Sequence, residues 1–166
     1  MKLRRLTFAA LLTTIALILF TVEAQLPPLT AIPGIKIGLS NVVTVFALYT
    51  LGAVPALAVL LVRVVLGGLI TGQVSAILYS LSGGLLAWTL SALLKRFFQD
   101  DKLWVLSVFA AAVHNVGQLG CAVLITMTPS LFWYLPLLLI AGILAGAFTG
   151  LAAQQVLKRL GAKLRF

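Results

Sequence analysis

Six apolar runs separated by short polar breaks fill almost the whole chain, at about residues 6–24, 40–52, 54–70, 73–94, 103–127 and 135–157. Crossing a bilayer's hydrocarbon layer takes roughly 20 mainly apolar residues per helix. A chain of 166 residues therefore has room for about six spans. With 62% hydrophobic and 9% charged residues, it has too little polar surface to clothe a water-soluble domain. The expected fold is an all-α integral membrane protein, a single transmembrane domain over residues 1–166.

The basic residues punctuate the runs. Of the 12 Lys and Arg, three lie in the N-terminal tail (Lys2, Arg4, Arg5), three in the 95–102 loop (Lys95, Arg96, Lys102) and four in the C-terminal tail (Lys158, Arg159, Lys163, Arg165). Six spans with both termini inside put every one of these clusters on the cytoplasmic side, as the positive-inside rule requires. The net charge of +9 then reflects membrane sidedness and attraction to anionic lipid, and no nucleic-acid partner is expected. Basic residues ahead of the first run also resemble a signal peptide. Glu23, near the would-be cleavage site, argues for a retained helix. The lone Cys121 excludes an intramolecular disulfide and any cysteine-based metal cluster.

Two cations remain, Lys36 and Arg63. Arg63 falls near the middle of the third run, where an arginine costs roughly 2.5–3.5 kcal/mol on insertion scales. It needs a partner: Glu23 at the outer end of the first span, helix carbonyls, a ligand oxygen, or an interface reached by snorkelling. Lys36 sits in the first external loop, either solvated or pointing inward as part of a cap over a cavity. Pro27 and Pro28 end the first helix, and Ser40 or Asn41 could cap the second. His114, Asn115 and Gln118 share roughly one face of the fifth helix. At membrane depth these side chains need helix–helix hydrogen bonds, water or a ligand.

Small residues suggest helix contacts. Ala9, Ala10, Thr13, Thr14 and Ala16 give the first helix a small-residue face suited to close helix contact. Gly142, Gly146 and Gly150 recur at four-residue spacing in the sixth, and Gly68 and Gly72 form a weaker pair. Nothing marks a catalytic centre, cofactor or metal site. Asp100 and Asp101 are too few carboxylates for magnesium-diphosphate chemistry, and there is no phosphate loop or nucleophile triad.

The motifs Pro33-Gly34-Ile35-Lys36-Ile37-Gly38-Leu39-Ser40-Asn41, Arg63 with Leu66-Gly67, Tyr79-Ser80-Leu81-Ser82-Gly83-Gly84 and His114-Asn115-x-Gly117-Gln118 together resemble the Gx transporter family, often labelled heptaprenyl diphosphate synthase component I. That family is similar to the substrate-binding S components of energy-coupling-factor (ECF) vitamin transporters. The resemblance implies a six-helix bundle in a bacterial plasma membrane with both ends cytoplasmic. Its first external loop, here residues 32–41, would lid an outward-facing pocket. Its partners would be a small-molecule ligand, membrane lipid, and separate coupling and ATPase subunits, with docking on Ala9, Ala10, Thr13 and Thr14. The expected ligand-binding set is Lys36, Asn41, Arg63, Gln73, Tyr79, His114, Asn115 and Gln118. The alternatives are an accessory protein of isoprenoid or quinone biosynthesis, holding a prenyl diphosphate or quinone, and a purely structural subunit.

Overall fold

The computed structural model describes residues 2–25, 38–98 and 100–164, the last few of them by backbone alone. Six helices account for nearly all of these: α1 (Lys2–Gln25), α2 (Leu39–Leu51), α3 (Ala53–Ile70), α4 (Val74–Leu94), α5 (Leu103–Thr126) and α6 (Leu135–Leu164). Short 3-10 turns at Asp100–Lys102 and Pro129–Tyr134 lead into α5 and α6. There is no strand among the described residues. Lys36 and the greater part of the expected lid lie outside them.

Five helices are long and apolar enough to cross a membrane, and α2 is not. Its 13 residues span about 20 Å, against the roughly 30 Å of a bilayer core. The expectation of six full spans is corrected on this point. Being apolar on every side, α2 behaves as a buried core helix rather than a lipid-facing one. Nine of its residues are buried, and Phe46, Ala47, Leu48 and Tyr49 lie in the main hydrophobic cluster with Leu12 and Ala16 of α1 and Ala153 and Leu157 of α6.

A single residue joins α2 to α3. Gly52 has φ 96°, a left-handed value that a side chain would strain. Arg63 and Ser40 stand 23 residues apart in sequence, yet their side chains are hydrogen-bonded at 2.6 Å. A straight helix would separate them by about 35 Å, so the chain reverses at Gly52 and α2 and α3 form an antiparallel hairpin. The buried tip of the hairpin is closed by side chains from the α4 end. Lys95 donates from Nζ to the Leu48 carbonyl at 2.8 Å, one of the four that α2 leaves unpaired. Trp88 donates to the Ala53 carbonyl at 3.0 Å, and the Tyr49 hydroxyl to that of Phe98 at 2.7 Å. Lys95, read from sequence only as a marker of sidedness, thus also caps a helix.

The remaining helices run antiparallel to their sequence neighbours and touch through small residues. A Cβ on Gly83 would sit 2.5 Å from the His114 carbonyl, and one on Gly117 would sit 2.9 Å from the Cα of Gly83. The glycine series of α6 faces α5: Gly146 meets Ser107 and Ala111, and Gly150 meets Trp104. It is an internal contact, with Ser107 and Thr149 hydrogen-bonded beside it at 3.2 Å. With the close helix approach thus satisfied, large apolar side chains such as Leu3, Leu69, Leu93, Leu124 and Leu144 point outward.

The small residues of α1 divide between two stripes. Ala16 is fully buried and Ala9 packs against the core, whereas Ala10 and Thr14 are exposed. Residues 9, 13 and 16 follow one helical stripe and 10 and 14 the next, so the five do not share a face.

Gly146→Leu should lower stability by about 1–3 kcal/mol through overpacking against α5. Gly120→Ala, where a Cβ meets nothing within 4 Å, should be neutral or stabilising. Thermal unfolding of the two variants in detergent checks both.

Candidate functional site

The first turn of α2 ends inside the bundle, and its unpaired N–H groups must find acceptors there. Glu23, near the end of α1, supplies them. Its Oε1 accepts from the Gly38 N–H at 2.6 Å and its Oε2 from the Leu39 N–H at 3.0 Å. Gly38 itself takes a left-handed conformation, φ 76°. The expected cap, Ser40 or Asn41, does not form, because the helix already begins at Leu39 and both residues lie within its first turn.

There they meet Arg63. Its Nη1 donates to Ser40 Oγ at 2.6 Å and its Nη2 to Asn41 Oδ1 at 2.7 Å. Arg63 is only 4% exposed, and its Nε–H is buried without a hydrogen-bond acceptor among the described residues. Among the described residues it makes no direct ion pair with Glu23. The carboxylate is engaged with backbone, the guanidinium with side chains, and the two face the same space.

That space is a cavity of about 90 Å³, enough for several waters or a small molecule. Every helix contributes to its wall. Phe20 and Glu23 come from α1, Ser40 and Asn41 from α2, Arg63 from α3, Ser80 from α4, and His114, Asn115 and Gln118 from α5. Gly142, Gly146 and Thr149 come from α6. Gly142 is needed for clearance: a Cβ there would lie 2.5 Å from Asn115 Nδ2, which donates to the Leu138 carbonyl at 2.6 Å. Asn115 is therefore partly committed to helix packing.

Of the expected binding residues, the structure brings Asn41, Arg63, His114, Asn115 and Gln118 to one cavity. Gln73 and Tyr79 do not line it. Gln73 is exposed at the start of α4, and Tyr79 is about 100° round the helix from Ser80, which does line it. Ser80, Gly84, Ala87 and Ser91 follow the i, i+4, i+7, i+11 rhythm of one helix face. This stripe of small residues was the sequence signal for the inward side of α4. Glu23 as the cap of α2 carries no local pattern, since it lies 15 residues before Gly38. Among the described residues no three His, Cys, Asp or Glu side chains gather as a metal would require.

Fold and cavity define a polytopic helical membrane protein with a small polar chamber lined by its helices. Residues 12–156 match the family described as heptaprenyl diphosphate synthase component I, and the chain belongs to that family. No curated protein and no solved structure matches it.

Replacing Glu23 by Ala leaves two N–H groups at the start of α2 without their acceptor. A loss of about 1–3 kcal/mol is expected. Glu23→Gln, which keeps one acceptor oxygen, should lose less. Chemical unfolding followed by tryptophan fluorescence would rank the two.

Proposed function

We propose that this chain is the substrate-binding membrane subunit of a transporter for a small polar or anionic molecule. The observation that carries the proposal is the buried Arg63 guanidinium, two of whose N–H groups are fixed by α2 while a third, on Nε, has no acceptor among the described residues. A buried donor left unmade costs about 1–3 kcal/mol, more for a charged group. A ligand oxygen in the adjoining cavity would offset that cost.

Sidedness supports the same reading. Arg4, Arg5, Lys95, Arg96, Lys102, Lys158 and Arg159 belong to the helix ends remote from the cavity. If that basic end is cytoplasmic, the cavity lies towards the outside of the cell membrane, where a substrate-capture subunit receives its ligand. The sequence contains no phosphate-binding loop, so driving energy would come from separate coupling and ATPase subunits of the ECF type. Ala10 and Thr14, the exposed part of the small-residue set on α1, are the positions left for docking them. Ala9 and Thr13 would serve only by supporting that helix from within.

The family name supplies a second reading, in which the chain is the membrane component of a prenyl diphosphate synthase assembly with a component II as partner. Arg63 would then hold diphosphate or quinone oxygen, and a long tail would have to leave the bundle between helices. Three carboxylates in the whole chain, with Glu23 engaged as a cap, do not supply the paired acidic motifs of magnesium-diphosphate chemistry.

Native mass spectrometry of gently extracted protein separates the two. The transporter reading predicts a retained water-soluble small molecule whose affinity falls about ten- to hundredfold in Arg63→Gln, as for loss of a charged buried hydrogen bond. A prenyl or quinone mass, with or without a synthase subunit, would replace it by the second reading.

A further inference from the structure

A second cavity, of about 50 Å³, lies against the first. The two share Asn41, Ala111, His114 and Thr149 as a common wall. The second is otherwise lined by apolar groups, chiefly Val45, Leu48, Leu60, Ala87, Trp88 and Ala110. Of its four hydroxyls three have partners: Ser107 and Thr149 bond each other at 3.2 Å, and Thr44 reaches the Ser40 carbonyl at 3.5 Å, which leaves Ser91 on the wall remote from the first cavity's shared residues. The indole N–H of Trp88 is held by the Ala53 carbonyl. A polar occupant would find few groups free to bond it, whereas an apolar one would gain by burial.

The first cavity has the opposite character. It is lined by Arg63 and Glu23, its charged side chains among the described residues. The pair is neutral overall, and among the described residues the other titratable group facing the space is His114. A singly charged head adds one negative charge beside Arg63. A dianion would add two in a low-dielectric interior and face the Glu23 carboxylate.

We infer that the ligand is an amphipathic monoanion, with a carboxylate-type head at Arg63 and a short apolar body passing the His114–Thr149 wall into the chamber beside Trp88. This deepens the substrate-binding reading and rests on it. The apolar chamber sets the length of the body, and the fork of Arg63 sets its polarity.

The test is the thermal stabilisation of the purified full chain in detergent by acetate, butyrate and hexanoate, with hexylammonium as a control of equal tail and opposite head. The inference predicts affinity rising by about fourfold per added methylene until the chamber is full, from the free energy of burying each CH₂. Hexylammonium should give no shift. In Ala87→Leu, which fills the chamber from α4, acetate should bind as in the wild type while the gain with length disappears. Ala110→Val, a smaller change from α5, should shorten the series in the same way, so a folding defect in one variant does not decide the result.

A flat series in the wild type would overturn the inference while leaving the ligand site standing. So would an equal rise in both variants, which would mean that the tail lies elsewhere or in the micelle. Butyl phosphate, as its dianion, binding more tightly than butyrate would overturn the single charge. If no carboxylate of any length stabilises the protein and Arg63→Gln changes nothing, the substrate-binding reading itself fails, and the inference with it.

Discussion

The structure depends on one guanidinium. Placing an arginine in the middle of an apolar helix is unfavourable by roughly 2.5–3.5 kcal/mol, and Arg63 offsets this by fixing the first turn of α2 through Ser40 and Asn41. The same two bonds hold the open end of the α2–α3 hairpin, which at its other end turns on Gly52 and is closed by Lys95. α2 can therefore stop short of a full span. Its N-terminus sits in the bundle interior, where Glu23 accepts its first N–H groups. A short helix, a buried cation and an internal polar cavity are three consequences of one arrangement.

The glycines make the arrangement tight. Gly83 and Gly117 bring α4 against α5, and Gly146 and Gly150 bring α6 against α5, at separations that admit no Cβ. Backbones in such contact gain dispersion energy that lipid would otherwise supply, which is how helices associate in a membrane without a hydrophobic driving force between them. Gly142 belongs to the same series but serves the cavity, leaving room for Asn115 to reach the Leu138 carbonyl. Packing and site are thus built from one four-residue repeat.

Helix number and type were legible in the sequence because apolar runs of membrane length have few other solutions. Arg63 was legible as an anomaly for the same reason: a charge in such a run must be accounted for. Its partners were not. Ser40 and Asn41 look like a helix cap, and only the start of α2 at Leu39 turns them towards Arg63. Glu23 was visible as a candidate counter-ion, but its role in capping a helix across a loop depends on tertiary geometry. Gln73 and Tyr79 were chosen by nearness to one end of α4. The face was the better guide, since Ser80, Gly84, Ala87 and Ser91 share it and Tyr79 does not. On α1 the small residues were read as one face because they are close in sequence. The 3.6-residue turn separates Ala10 and Thr14 from Ala9 and Ala16.

The central claim is that the Nε–H of Arg63 is held ready for a ligand oxygen. The direct measurement is the ¹⁵N–¹H signal of that group, in protein labelled at arginine side chains and assigned by its loss in Arg63→Lys, recorded while a carboxylate ligand is titrated. The account predicts that the Arg63 signal moves downfield as ligand binds, while the signals of the remaining arginines stay in place. A signal unmoved at saturation would mean that no ligand oxygen reaches this group and would contradict the account.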